Sequence, residues 1–299
     1  MAGAERAIAG MAAAVIVVST VYLAVHSSGT HPAGAAGGTS AAAGDPAAAK
    51  AAPHADPLTG AAKAYVAGRS GTVLAAVYDV KTGQTWQLGS GKAQDEASVV
   101  KLNVLEALLA GRDGGSLSHA DQVLARSMIE DSDNDAATSL WDAAGGAQGV
   151  GAFDEKARLS DTTPSHCVSC AGFPWPGWGL TTTVPGDQLA LLKQLVIPGP
   201  HPLLSAAQRS YALSLMENVT VDQAWGVSGG VPAGVTVALK NGWLPLNDAD
   251  TDWQVNSVGW VNGDGRDYLI AVLSTGNATE QYGIDTINAL SSRVWTALR

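Results

Sequence analysis

The chain has few charged residues, and the basic ones are scarcer than the acidic ones. Of its 299 residues 15% are charged, and 17 Lys and Arg stand against 27 Asp and Glu, for a formal net charge of -10. Because nucleic-acid recognition needs a basic surface, we expect no nucleic-acid partner. The chain also lacks a G-x-G-x-x-G after a strand, a Walker loop and an H-E-x-x-H, so we expect no cofactor and no metal.

Cysteine is nearly absent, since the chain has only Cys167 and Cys170, in the stretch HCVSC. In an exported protein a local disulfide is the default for such a pair. A metal site that included His166 would have three ligands in one short loop and no partner cluster elsewhere. Pro174 and Pro176 follow where a redox C-x-x-C would open a helix. The two cysteines are therefore a disulfide candidate.

A run of nineteen residues without charge, Ala7–Val25, follows Arg6. As a helix it would cover roughly 28 Å, close to the roughly 30 Å of a bilayer's hydrocarbon core. Residues 1–26 are therefore predicted to be a signal anchor. Because alanine makes the run only mildly hydrophobic, a cleaved signal peptide is the second hypothesis and a core helix is the third. Either of the first two exports the rest of the chain, which is then membrane-anchored or secreted and has no other membrane contact.

Residues 27–57 are Ala, Gly, Pro and Ser with almost no large side chains. Such a segment cannot bury enough apolar area to offset its chain entropy, so we predict a disordered linker. Residues 58–299 remain, which suits one large domain or two interlocked lobes.

Strand-like patterns lie at both ends of this domain and helical patterns fill its middle. A hairpin is predicted at Thr72–Ser90, and three strands follow Gly234, the last two joined by a turn at Gly263–Gly265. The sequence thus predicts an α/β (α+β) fold of two lobes: a roughly five-stranded antiparallel sheet, covered on one face by the first and last helices, and a helical lobe on the other. The predicted helices are Leu58–Arg69, Ser98–Arg112, Ser118–Glu130, Asn134–Ala144, Gln148–Leu159, one capped by Thr183, one from Ser205, and Asn277–Arg299.

An apolar helix, ASVVKLNVLEALL, carries a lysine three residues after its serine. At that spacing Ser98 and Lys101 share one helix face. A serine hydroxyl needs a base to become a good nucleophile, and a lysine serves once burial and the helix N-terminus lower its pKa. Backbone N–H groups at that N-terminus can also hold an oxyanion. The alternative is a surface lysine on an ordinary helix.

Two more stretches carry residues suited to the same chemistry. Ser132-Asp133-Asn134 lies between two helices and can hold a hydroxyl and an amide toward the first serine, although it is also a common turn and cap sequence. Lys240-Asn241-Gly242 ends an apolar strand, whose edge can lie beside a ligand, or which can simply turn into solvent. A second cation there would lower the pKa of Lys101 and attract a carboxylate.

In this order S-x-x-K, S-D-N and K-x-G resemble the motif set of class A β-lactamases and penicillin-binding proteins. The chain is similar to that serine β-lactamase superfamily from Leu58 to Arg299, and to class A more than to its relatives. The stretches MIEDSDNDAATSLWDAAGG and LTTTVPGDQLALLKQL carry the resemblance further.

The resemblance implies a role for each motif residue. Ser98 would be the acylated nucleophile, Lys101 its base, and Ser132 the group that passes a proton to the leaving nitrogen. Lys240 would support that proton network and the substrate carboxylate, and Asn134 would contact the substrate amide.

The third motif departs from the family pattern. The resemblance implies that an oxyanion lies between the backbone N–H groups of Ser98 and Trp243, with Asn241 and Gly242 also in contact with substrate. Asn241 stands where the family has a Thr or Ser hydroxyl that grips the substrate carboxylate. Trp243 stands where a small residue is common, and the helical lobe before Ser132 is shorter than usual.

The glutamate by which class A enzymes activate the hydrolytic water is missing. No Glu occurs between Glu155 and Glu217, and Asp161 is the nearest carboxylate. Loss of a general base costs roughly 10²–10⁴ in rate, so an acyl-enzyme could form and persist.

We therefore expect an exported, monomeric serine acyl hydrolase. It would attack a β-lactam or a related small-molecule or peptidoglycan-derived amide through Ser98. The alternatives are a D-Ala-D-Ala peptidase or penicillin-binding protein with slow deacylation, and a non-catalytic scaffold that binds peptidoglycan or a partner.

Overall fold

Strands from the beginning and the end of the domain join in one antiparallel sheet in the computed structural model, which describes residues 53–170, 177–246 and 251–299. The sheet order is β2-β1-β7-β6-β5, and β3 and β4 form a separate two-stranded ribbon. The described strands are β1 (Thr72–Asp79), β2 (Thr85–Leu88), β3 (Gln94–Asp95), β4 (Thr182–Thr183), β5 (Thr236–Pro245), β6 (Trp253–Gly263) and β7 (Arg266–Asn277). The five-stranded sheet predicted from the sequence is confirmed.

Eight α-helices are described, and most lie where the apolar periodicity predicted them. Ser118 caps one through a bond that its side chain accepts from Asp121 N, and Ser205 caps another in a capping box with Gln208. The helices are α1 (Ala61–Ala67), α2 (Val100–Ala110), α3 (His119–Glu130), α4 (Asn134–Ala143), α5 (Gly146–Ala157), α6 (Pro185–Val196), α7 (Ala206–Glu217) and α8 (Glu280–Ala297).

The strands alternate in which core they face. In β1, Val73 and Val77 pack into a cluster with residues of α1 and α8, whereas Ala76 packs into the larger cluster of the helical lobe. Side chains two apart share a sheet face, so each face acquires its own helical cover. The predicted first and last helices do cover one face together.

Helix α2 runs through the middle of the helical lobe. Nine of its eleven residues are buried, including the polar Lys101, Asn103 and Glu106. A helix that is apolar on all sides is a core helix, and its burial fixes the position of the turn that precedes it. That turn, Ala97–Val99, is a 3₁₀ segment that packs against β5 and β6.

Two details of the predicted elements are wrong. Thr183 does not cap α6: it belongs to β4 and pairs with Gln94, while Val184 is the cap residue. Pro185 follows at the first helical position, where its missing N–H costs no hydrogen bond. The last helix begins at Glu280 rather than Asn277, because Asn277 completes β7 and Thr279 caps the helix.

The predicted signal or anchor segment, and the linker as far as residue 52, lie outside the described residues. Among the residues that are described, no helix combines the length and apolarity that a membrane crossing requires.

Candidate active site

The edge of β5 passes directly over the N-terminus of α2. A Cβ on Gly242 would lie 2.6 Å from Ser98 N and 2.7 Å from both Glu96 O and Val99 N. Only glycine permits this approach, since Cβ contacts under about 3 Å are not tolerated. The backbone of Trp243 and the N–H of Ser98 therefore border the same cleft.

The turn that carries Ser98 is held from below by a side chain of β6. Asn256, fully buried, donates to Asp95 O at 2.8 Å and to Glu96 O at 2.9 Å. Its Oδ1 accepts from Gln254 Nε2 at 2.7 Å. Asn256 was not among the residues predicted for the site; the signal was a pair of amides, Gln254 and Asn256, within the strand WQVNSVGW. The positive φ of Ala97, 52°, shows how sharply the chain turns before the serine.

Lys101 lies fully buried beneath this turn. Its Nζ is 2.6 Å from Ser132 O, 2.8 Å from Asn134 Oδ1 and 3.2 Å from Ser132 Oγ. Burial lowers the pKa of Lys101 to about 7, and Asp133 opposes that shift. A neutral amine has two N–H donors for the two carbonyl oxygens, which leaves its lone pair to take a hydroxyl proton.

Lys240 approaches the same hydroxyl from β5. Its Nζ lies 2.9 Å from Ser132 Oγ and 2.9 Å from Asn241 O. Burial, and then the nearby Lys101, lower the pKa of Lys240 well below its ordinary value. Ser132, which has a positive φ of 58°, thus connects two amines whose protonated form is disfavoured by burial.

Ser98 is half-buried and lines a cavity of about 300 Å³, which we call the Ser98 cavity. Ser132, Asn134 and Trp243 line it too. Ser98 Oγ makes no hydrogen bond to any described residue, so the direct bond to Lys101 anticipated from the spacing is not formed here. Such bonds are often long before substrate binds and tighten in the reacting complex.

The structure thus brings Lys101, Ser132, Asn134 and Lys240 into one hydrogen-bond network and sets Ser98 on the wall of the adjoining cavity.

Asn241 bonds to the backbone of the segment between α7 and β5. Its Nδ2 donates to Gln223 O at 2.6 Å and to Trp225 O at 3.1 Å, and only 1% of the residue is exposed. Asn241 was expected among the substrate contacts, but its side chain does not line the cavity.

Four buried carboxyl groups lie together beside α2, outside the Ser98 cavity. Burial raises the pKa of Glu96 and of Glu106 well above the ordinary range, and raises that of Asp187 too. Burial also raises the pKa of Asp154 to about 7, although a hydrogen bond from Asn103 opposes the shift. Sequence patterning gave no sign of this cluster.

Asp161 is the carboxylate that lies nearest in the sequence to the position of the missing family glutamate. It does not line the Ser98 cavity either. Its backbone N donates to Asp187 Oδ2 at 2.7 Å, and both residues line a different cavity.

Cys167 and Cys170 form a disulfide. No cluster of three or more His, Cys, Asp or Glu suited to a metal occurs within residues 53–170, 177–246 and 251–299.

Comparison with known proteins gives a family and a set of similar structures. Residues 113–298 match the model of a beta-lactamase enzyme family. The TLA-1 extended-spectrum beta-lactamase is similar at TM-score 0.67 and 18% identity, over 79% of this chain and 95% of that one. No curated protein sequence matches the chain.

Two further structures are similar to the same extent. A beta-lactamase from Xanthomonas campestris pv. campestris gives TM-score 0.65 at 17% identity, over 79% of this chain and 95% of that one. The class A beta-lactamase from Mycobacterium abscessus gives 0.64 at 21%, over 78% and 96%. At such identities the likeness shows the shared fold alone.

Proposed function

Since the chain belongs to the beta-lactamase enzyme family, we propose that it is a serine acyl hydrolase whose acyl-enzyme forms on Ser98. One observation supports this above others: the buried amines of Lys101 and Lys240 both contact the Ser132 hydroxyl, beside a cavity that Ser98 lines. A buried amine with a lowered pKa gives up its proton easily. Such an amine is suited to proton transfer and poorly suited to a purely structural ion pair.

Acylation follows from these contacts. The lone pair of Lys101 accepts the Ser98 proton while Oγ attacks the substrate carbonyl carbon. The developing oxyanion is stabilised by the backbone N–H groups of Ser98 and Trp243. As the bond to the leaving group breaks, Ser132 gives that group its proton and regains one from the Lys101 ammonium, so no net charge remains on the enzyme.

Deacylation has fewer groups to support it. Asp131 is the one carboxylate that lines the described part of the cavity, and it is exposed on the turn before Ser132. The amine of Lys101 is then the remaining base for the attacking water. We therefore propose that deacylation is slower than acylation, as in a penicillin-binding protein, with a β-lactam or related cell-wall amide as the substrate class of the family.

Export belongs to the same proposal. The charge-free run Ala7–Val25 supports a location outside the cytoplasm, where the substrates of such enzymes occur.

A labelling experiment tests the assignment of Ser98. The protein is treated with a fluorescent fluorophosphonate and, separately, with a fluorescent penicillin. We expect covalent labelling that is lost in Ser98→Ala and kept in the matched control Ser228→Ala, whose hydroxyl donates to Ala224 O away from the cavity.

The time course separates the functional alternatives. A label that disappears over time indicates hydrolysis, and a stable label indicates the penicillin-binding alternative. Labelling that persists in Ser98→Ala, or none by either reagent in a folded protein, would refute the proposal and favour a scaffold.

A further inference from the structure

The described lining of the Ser98 cavity contains no basic side chain. Its only charged member is Asp131, and the chain as a whole carries a net charge of -10. The two nearest amines, of Lys101 and Lys240, are at most 1% exposed. An anionic group on a substrate would therefore enter this cavity without a surface cation to offset its lost hydration.

The donors of these two lysines are already used within the protein. The amine of Lys101 contacts Ser132 and Asn134, and that of Lys240 contacts Ser132 and Asn241 O. A substrate carboxylate would have to displace these bonds, and would hold as an ammonium ion the amine of Lys101, which the mechanism needs as a base.

Asn241 cannot supply the missing donor. Its amide N–H groups are directed at the carbonyl oxygens of Gln223 and Trp225, on the segment between α7 and β5. To reach the cavity the side chain would break both bonds: Trp225 O would lose its bond from the amide, and Gln223 O would keep only the bond from Trp225 N at 3.0 Å.

The cavity offers aromatic surface instead. Trp178, Trp243 and Trp253 line it, together with Leu244 and Pro245 at the end of β5. Trp225 packs against Trp243 with ring centroids 5.9 Å apart, which holds that side chain in place. Tryptophan faces bind apolar and aromatic groups with large buried area.

We propose that the substrate of Ser98 is an uncharged ester or amide with an aromatic or branched aliphatic group, and that a carboxylate beside the cleaved bond is selected against. This inference rests on the proposed function, since it narrows the substrate class of that same site to lactams, amides and esters without a carboxylate beside the cleaved bond; a penicillin then acylates Ser98 more slowly than its ester does. The step is ordinary acyl transfer: Oγ bonds to the carbonyl carbon, the leaving alcohol or amine departs with a proton from Ser132, and water later returns Ser98 and the free acid.

The sharpest test compares two substrates that differ in one charge, benzylpenicillin and its methyl ester. Both carry the same β-lactam and the same aromatic side chain. We expect the second-order rate constant for acylation to be at least about tenfold higher for the ester. Equal rates, or a preference for the carboxylate, would overturn the inference.

Two variants locate the selectivity. Asn241→Thr removes the amide and supplies a hydroxyl on β5, so the ratio of ester to carboxylate rates should fall several-fold. Trp253→Ala should lower the ratio of the acylation rate by p-nitrophenyl phenylacetate to that by p-nitrophenyl acetate about tenfold or more. Trp86→Ala on β2, remote from the cavity, is the matched control and should change neither. Unchanged ratios in folded Asn241→Thr and Trp253→Ala would contradict the assignment.

Failure of this inference is distinguishable from failure of the proposed function. If Ser98 is labelled by the fluorophosphonate but the carboxylate is preferred, only the substrate class is wrong. If no reagent acylates Ser98, the proposed function itself is wrong.

Discussion

Replacement of Asp154 by asparagine should make the stability of the protein less dependent on pH. Asp154 lies on α5 with 2% of the residue exposed. Its Oδ1 accepts from Asn103 Nδ2 at 3.3 Å, while Oδ2 has no hydrogen-bond partner among the described residues. Burial raises its pKa from 3.8 to about 7, and the charge of Asp187 adds to the shift. Asparagine keeps the shape of the side chain and removes the ionisation.

The magnitude follows from linkage between proton binding and folding. Between the unfolded pKa of 3.8 and the folded pKa of about 7, the folded protein holds a proton on Asp154 that the unfolded chain has released. Stability therefore falls as pH rises through this window, and is highest below it. A shift of about 3 units corresponds to about 4 kcal/mol, most of which is lost between about pH 4 and 8.

Urea unfolding at four values of pH between 4 and 8 measures this loss. In the wild-type protein the free energy of unfolding should fall across the range, and in Asp154→Asn it should fall by about 3–4 kcal/mol less. Asp142→Asn, at an exposed position on α4, is the control and should behave as wild type. The same pH dependence in Asp154→Asn and wild type would refute the argument that Asp154 is a buried neutral acid.

Three further outcomes are expected. Gly242→Ala places a Cβ 2.6 Å from Ser98 N, so it should reduce acylation by p-nitrophenyl acetate by about 10²–10³ while thermal melting shows a folded protein; an unchanged rate would contradict the oxyanion assignment. The acylation rate should rise with pH through an inflection near 7, as Lys101 becomes neutral, and a flat stopped-flow profile would exclude it as the base. Arg69→Lys loses hydrogen bonds to Tyr282 O and Thr286 Oγ1 and a stacked contact 3.5 Å from the centroid of the Tyr282 ring. The free energy of unfolding, measured by urea titration, should therefore fall by about 1–2 kcal/mol.

The residues that carry chemistry were predictable because their types and order are unusual. Burial of a lysine in an apolar helix, three residues after a serine, costs folding free energy and therefore suggests a chemical role. The structure does place Lys101 in a hydrogen-bond network with Ser132 and Lys240. The sheet was predictable from its alternating strands and from the turn at Gly263–Gly265.

The direction of single side chains was not predictable. Asn241 was expected to face the substrate, but carbonyl oxygens from the segment around Trp225 capture its amide, and a linear pattern holds no record of that segment's position. Glu106 resembles an ordinary surface residue of a helix until α2 is seen to be enclosed on all sides. The β3–β4 ribbon has two residues in each strand, too few to produce a periodic signal.

We propose above that the acyl-enzyme forms on Ser98, and every step of the mechanism depends on that residue. The most direct measurement is quenched-flow mass spectrometry of the intact protein with p-nitrophenyl phenylacetate, followed by peptide mapping of the adduct. We expect one acyl group per molecule, located on the peptide that contains Ser98, to accumulate before product is released in the steady state. An adduct mapped to another residue, or product formed with no adduct at Ser98, would contradict the account.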